Sequence, residues 1–142
     1  MRSGTEAVPQ IAALAAACAY RMERRQQAYE HVSALRQQLL ERLAELGVPF
    51  TCNSPAEGSP YVVNLSACKG RSEVYLRALS EEGICVSGGS ACARGKKSHV
   101  LLANKLPPKN IEAALRVSFS PETTAEDVEA FCQSFARAVK LF

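Results

Sequence analysis

Residues 84–99 read Ile84-Cys85-Val86-Ser87-Gly88-Gly89-Ser90-Ala91-Cys92-Ala93-Arg94-Gly95-Lys96-Lys97-Ser98-His99. Three β-prone residues run straight into glycines and small residues, so the stretch predicts a short buried strand opening into an exposed, mobile loop. Before it, Ser72 to Glu82 has helical spacing, with Val74, Leu76 and Leu79 on one side and Gly83 as the stop. After it, Ser98 to about Asn104 fits a short helix broken at Lys105–Pro108. A helical turn over Ile111–Leu115 leads into Arg116-Val117-Ser118-Phe119, which alternates like a strand. Pro121 to Phe142 predicts a final helix, with a capping box in Thr123-Thr124-Ala125-Glu126-Asp127.

Towards the N-terminus, residues 51–60 are turn-rich, and Tyr61-Val62-Val63-Asn64-Leu65 reads as a strand. From about Glu6 to Leu46 runs one long helical pattern, with Ile11, Leu14, Cys18 and Met22 continued by Val32, Leu35, Leu39, Leu43 and Leu46. Thr5 suits its N-cap and Gly47, before Pro49, its C-terminal stop. Such a helix is about 60 Å long, more than a domain of this size is wide, unless a kink near Arg24–Gln27 divides it. The order helix, strand, helix, strand, helix, strand, helix predicts an α+β unit: a long N-terminal helix and a three-stranded sheet covered by helices on one side.

The chain has 142 residues and is read as a single domain, residues 1–142. Hydrophobic residues are 47% and charged residues 22%, as in ordinary globular proteins. No apolar run approaches the roughly 20 residues of a membrane span. The net charge of +3 is small, and no aromatic residue interleaves with the basic Arg94, Lys96 and Lys97, so a nucleic-acid partner is not expected. The six cysteines (18, 52, 68, 85, 92 and 132) contain no C-x-x-C pair, and the N-terminus shows no apolar signal region. The expectation is free thiols in a reducing cytoplasm, with no metal site. Cys18 and Cys132 fall in helical patterns, where a thiol serves as a small hydrophobe.

Two positions offer chemistry. Cys92 lies among small residues with Arg94, Lys96, Lys97 and His99 nearby, and cations favour a nucleophilic thiolate. The same features also fit a surface turn with an incidental cysteine. A phosphate loop fails on counting, because five residues rather than four separate Gly89 from Gly95. Arg116, alternating with Ser118, can present a bidentate fork to a carboxylate, although a structural ion pair fits it equally well. His31 is expected to be solvated on the long helix.

Taken in order, Arg2-Ser3-Gly4-Thr5, Ser87-Gly88-Gly89-Ser90-Ala91-Cys92, Ser98-His99-Val100-Leu101 and Ala114-Leu115-Arg116-Val117-Ser118 resemble the C-terminal part of the cysteine desulfurases, pyridoxal-phosphate enzymes of the class V aminotransferase group. The resemblance implies the small C-terminal domain of the type I pyridoxal-phosphate transferase fold. It implies that Cys92 takes sulfur from L-cysteine as a persulfide, giving L-alanine, for iron–sulfur or thionucleoside biosynthesis through an acceptor protein. Arg116 then matches the substrate-carboxylate arginine, and Thr5 the threonine that reaches the cofactor phosphate across a homodimer. Gly88 stands where the family has its second serine, which is expected to loosen the loop. None of Lys69, Lys96, Lys97, Lys105, Lys109 or Lys140 lies in the family's Ser-His-Lys setting. The cofactor lysine belongs to a large preceding domain, so the isolated chain is expected to be inactive. The alternatives are a stand-alone persulfide carrier and a non-catalytic dimerisation fragment.

Overall fold

A computed structural model describes residues 3–88 and 98–141. The expected long helix is two helices, α1 (Val8–Glu23) and α2 (Arg25–Glu45), parted at Arg24. Arg24 bridges the break: its guanidinium donates to the Tyr20 carbonyl at 3.3 Å and lies over the Tyr20 ring. Thr5 does not cap α1. The N-cap position is Ala7, which makes no side-chain cap bond, and Pro9 sits in the first turn, where its missing N–H costs nothing. No residue of α1 is buried, so Cys18 is exposed rather than a core filler. α2 instead buries Val32, Leu35, Leu39 and Leu43 at helical spacing. It stops at Gly47 (φ +65°), where the Gly47 N–H reaches the Ala44 carbonyl and the Val48 N–H the Leu43 carbonyl, both at 3.0 Å. That double bond satisfies carbonyls the helix end would otherwise leave open.

The sheet is antiparallel in the order β1 (Phe50–Cys52), β2 (Val62–Ala67), β3 (Ala114–Ser118). Three strands were expected, but one of them is different. Phe50–Cys52 supplies the first, partly inside the stretch read as a loop. Ile84–Val86, read as a strand, is not one. The reason lies in α3 (Ser72–Glu81), whose end at Gly83 (φ +78°) takes the Ile84 N–H for the Leu79 carbonyl at 2.9 Å. A cleft lined by Ile84, Cys85, Val86, Val117 and Phe119 then separates this segment from β3. α3 also turns one position away from the expected face. Tyr75 and Leu79 are buried while Val74 is exposed, because the Tyr75 hydroxyl finds the Lys69 carbonyl at 2.7 Å.

One sheet face forms the core. Val63 and Leu65 of β2 and Leu115 and Val117 of β3 pack with α2, α3 and α6 (Ala125–Val139). There Phe131 stacks on Phe135, and Tyr75 meets Phe135 with centroids 5.5 Å apart. The predicted capping box opens α6: the Thr124 side chain accepts from the Asp127 N–H at 3.2 Å and the Asp127 carboxylate from the Thr124 N–H at 2.9 Å. His31 is exposed, as expected, yet its Nε2 lies 2.8 Å from the Thr123 carbonyl and ties α2 to this corner. Arg36 of α2 donates to the carbonyls of Pro55, Ala56 and Gly58 and so fastens the turn-rich loop. Two short helices, α4 (His99–Ala103) and α5 (Pro108–Glu112), cover one end of the second sheet face through Leu101, Ile111 and Ala114. Among the described residues no helix is long and apolar enough to cross a membrane.

Lys105 ends α4 with φ +54°, where the Lys105 N–H reaches the Leu102 carbonyl and the Leu106 N–H the Leu101 carbonyl. A side chain in this left-handed region costs about 1–2 kcal/mol. Lys105→Gly is therefore expected to raise stability by about 0.5 kcal/mol after its larger unfolded-state entropy is subtracted, and Lys105→Val to lower it by about 1 kcal/mol or more. Urea unfolding of both variants checks this; equal midpoints would show that the turn relaxes without strain.

Two ion pairs fasten α6. Arg42 of α2 forks onto Glu129 at 2.8 and 2.9 Å, and Arg137 pairs with Glu82 at the end of α3, where Ser134 also donates to Glu82. Arg42 holds the Glu129 carboxyl below its usual range, and Arg137 does the same for Glu82. A carboxyl whose folded pKa is lowered stabilises above its unfolded pKa and loses that contribution as pH falls through the folded value. The urea midpoint should thus drop as pH is lowered below about 4.5. The double variant Glu82→Gln, Glu129→Gln should flatten that slope; an unchanged slope would mean that solvent screens both pairs completely.

Candidate functional site

Alternation along β2 and β3 determines what the second sheet face presents. With Val63, Leu65, Leu115 and Val117 turned into the core, Asn64 and Arg116 turn to the opposite side. The register pairs Asn64 directly with Arg116. Continuing the β1 register by one residue brings Asn53 beside Asn64, and the Asn53 N–H donates to the Asn64 carbonyl at 2.8 Å. On the other flank, Ser87 forms an isolated antiparallel bridge with Arg116. The Arg116 N–H donates to the Ser87 carbonyl, and the Ser87 N–H to the Arg116 carbonyl at 3.2 Å. Asn53, Asn64, Arg116 and Ser87 therefore form one row across the sheet.

Arg116 is exposed, and its guanidinium has no hydrogen bond or ion pair among the described residues, unlike Arg42 and Arg137. An arginine held on a strand and left unpaired is a ready bidentate donor for a planar anion. No residue of the three strands is acidic, so nothing on the sheet competes for it.

Thr5 is exposed, two positions ahead of the α1 N-cap, and its hydroxyl is unengaged among the described residues. It is not drawn into the row around Arg116. Cys92, with Arg94, Lys96 and Lys97, lies outside the described residues; the stretch that leads to it departs from Ser87. Gly88 sits close against α3. A Cβ there would stand 3.1 Å from Leu76 Cδ1 and 3.3 Å from Ser72 Oγ, so the missing side chain lets the chain approach the helix closely; the loop it was expected to loosen lies outside the described residues. The other thiols divide by burial: Cys18, Cys68 and Cys85 are exposed, Cys52 is half-buried, and Cys132 is buried. Desolvation pushes the Cys132 thiol up to about 12, which keeps it a protonated core filler at neutral pH. Lys69, Lys105, Lys109 and Lys140 are all exposed, and a lysine poised for covalent work on a carbonyl needs burial to lose its proton near pH 7.

Asn53, Asn64 and Ser87 did not emerge as site residues from the sequence. For Asn64 a signal was available: it shares strand parity with the outward-facing side of an otherwise apolar run. For Asn53 and Ser87 none was, because their places depend on pairing across 11 and 29 residues.

Residues 1–131 match the family described as aminotransferase class-V. The chain is 34% identical over 143 residues to a putative cysteine desulfurase IscS 1 of Bacillus subtilis, covering 98% of the chain and 38% of that protein. It is also 34% identical over 131 residues to a cysteine desulfurase of Gluconacetobacter diazotrophicus, covering 90% and 33%. Among solved structures, a NifS-like protein superposes with TM-score 0.83 at 29% identity, over 99% of the chain and 36% of that structure. A NifS-like protein from Rickettsia africae does so with TM-score 0.82 at 26% identity, over 98% and 36%. The chain thus spans little more than a third of the length of these relatives. With its fold matched end to end and its sequence matched over residues 1–131, the chain belongs to the aminotransferase class-V family, and the relatives it resembles there are cysteine desulfurases.

Proposed function

We propose that this chain is the C-terminal, small-domain part of a cysteine desulfurase, which receives sulfur from L-cysteine as a persulfide on Cys92 and hands it to an acceptor protein for iron–sulfur or thionucleoside assembly. The observation that carries the reading is the two-way backbone bridge between Ser87 and Arg116. It roots the stretch bearing Cys92 beside an arginine whose guanidinium has no partner among the described residues, so the group that would bind the substrate carboxylate and the segment that carries the thiol depart from one point. Five residues span at most about 17 Å, which bounds the distance between the Ser87 and Cys92 backbones.

Arg116 binds and orients the carboxylate, Cys92 as thiolate takes the sulfur, and L-alanine is left. Pyridoxal phosphate, when bound, supplies the electron sink that makes the carbon–sulfur bond of the substrate labile. The residues present fit a share of that cofactor's site: Thr5 offers an unengaged hydroxyl for the phosphate. The exposed lysines do not fit the covalent anchor. That anchor comes from a large domain outside these residues, and the chain alone is inactive. The apolar residues along α1 (Val8, Ile11, Leu14 and Met22), all more than half exposed, form the surface we assign to that domain and to a second protomer in a homodimer of the cytoplasm.

The 142-residue chain given pyridoxal phosphate and L-cysteine is expected to release neither L-alanine nor sulfide. With the lysine-bearing domain of a relative added in trans, L-alanine should form and the Cys92 peptide should gain the mass of one sulfur atom, which Cys92→Ser abolishes. Turnover by the chain alone, or a persulfide on another cysteine, would overturn the reading.

Thiol reactivity provides a second check. In timed iodoacetamide labelling at pH 7, Cys92 should react fastest, ahead of the exposed Cys18, Cys68 and Cys85. Cys132 should be slowest by roughly a hundredfold or more, since only its thiolate reacts. If Cys92 labels no faster than Cys68, the basic residues around it do not activate the thiol.

A further inference from the structure

We infer that Asn64 is a second donor to the substrate carboxylate beside Arg116, its amide turned donor-outward by a hydrogen-bond chain that begins at the Asn110 carbonyl. The inference rests on the reading of Arg116 as the carboxylate anchor and adds a residue to it. The chain has a forced direction. The Ser66 hydroxyl, in a residue 1% exposed, donates its single proton to the Asn110 carbonyl at 2.7 Å, an atom that can only accept. Towards Asn53, Ser66 Oγ can then only accept, so the atom of Asn53 that meets it at 2.7 Å is the amide nitrogen. The same Asn53 Nδ2 donates at 2.7 Å to Asn64, which must present its oxygen there. The Nδ2 group of Asn64 is left over, with no partner among the described residues. It sits on the face it shares with Arg116, in the directly opposed cross-strand position. Opposed side chains on neighbouring strands begin about 4.5–5.5 Å apart, close enough for both to bond one carboxylate.

The orientation has a cost. Asn53 Oδ1 is buried and has no hydrogen-bond partner. An orphaned buried acceptor costs about 1–3 kcal/mol, and turning the Asn53 amide over would only exchange it for two lost bonds. The strands place no acidic residue on this face, so Arg116 and Asn64 together offer donors without an internal acceptor to consume them. An amino acid's carboxylate fits that pair; a neutral amide of the same shape, lacking the charge, does not.

The test is a 1H–15N NMR titration of the 142-residue chain with sodium propionate, and with propionamide as the neutral isostere, at constant ionic strength. The expected result is that the Asn64 side-chain amide and the Arg116 Nε–H resonances move together along one saturation curve with propionate and stay still with propionamide. Asn64→Ala should weaken propionate binding about 3- to 10-fold. Asn64→Asp keeps an acceptor for Asn53 but sets a carboxylate opposite Arg116, and should weaken binding by at least ~10-fold while the Asn53 amide resonances hold their positions. If Arg116 responds while Asn64 does not, and Asn64→Asp binds normally, the inference falls and the anchor role of Arg116 stands. If neither resonance responds, the anchor role falls and this inference with it. Should Asn64→Asp fail to fold, the titration of the unaltered chain decides.

Discussion

The antiparallel register between β2 and β3 is the constraint on which the rest of the arrangement depends. Val63 opposite Val117 and Leu65 opposite Leu115 are buried on one face, each worth about 1.5–3 kcal/mol against exposure. A slip by one residue would bring all four into water and drive Arg116, unpaired, into the core. The burial that holds the strands together thus also fixes the outward direction of Arg116 and Asn64. Ser87 inherits its position from the same register, since it bridges to Arg116.

Three helices keep that register closed from behind. α2 and α3 reach the sheet through Leu35, Leu39, Leu43, Tyr75 and Leu79, and α6 lies across both. Their ends are finished by local devices: positive-φ glycines at 47 and 83 and the Thr124–Asp127 capping box. The glycine at 83 has a consequence beyond its own helix. The Ile84 amide closes α3, and the chain that follows meets β3 at Ser87. Helix termination therefore decides where the stretch leading to Cys92 meets the sheet.

Much of this was legible in the residues. Gly47 and Gly83 as stops, Thr124 as a cap and the strand parity of Arg116 all follow from local chemistry, whereas the break at Arg24 stood only as an alternative to one long helix. The missed parts depend on partners distant in sequence. Phe50–Cys52 is three residues between Pro49 and a turn-rich run, and only β2 makes it a strand. Ile84–Val86 has strand composition but a spent amide. Tyr75 outranks Val74 for the core because a carbonyl six residues back accepts from its hydroxyl. Thr5 has the chemistry of a cap but lies two residues too early. The site was half visible for the same reason: the parity of Arg116 is local, whereas the row linking Asn53, Asn64, Arg116 and Ser87 exists only once four segments pair.

A sheet with one buried face must do something with the other, and here the second face is divided. α4 and α5 cover the end carrying Ser66 and Ala114, where the Ser66 hydroxyl is satisfied by the Asn110 carbonyl. Beyond them, Arg116 and Ser118 stand exposed and Asn64 is half-buried. A fold selected for stability alone would pair or bury these groups, as it pairs Arg42 with Glu129 and Arg137 with Glu82. It would also give Asn53 Oδ1 a partner instead of leaving it buried and empty. Asn53 Oδ1 shares its orphaned state with Arg36 Nε, but only at this end of the sheet does it stand beside an exposed arginine with no side-chain partner among the described residues. α1 repeats the contrast in apolar form: it keeps a helical stripe of Val8, Ile11, Leu14 and Met22, yet contributes nothing to this core. Arg116 on the one surface and the α1 stripe on the other stay exposed, the first polar and charged, the second apolar.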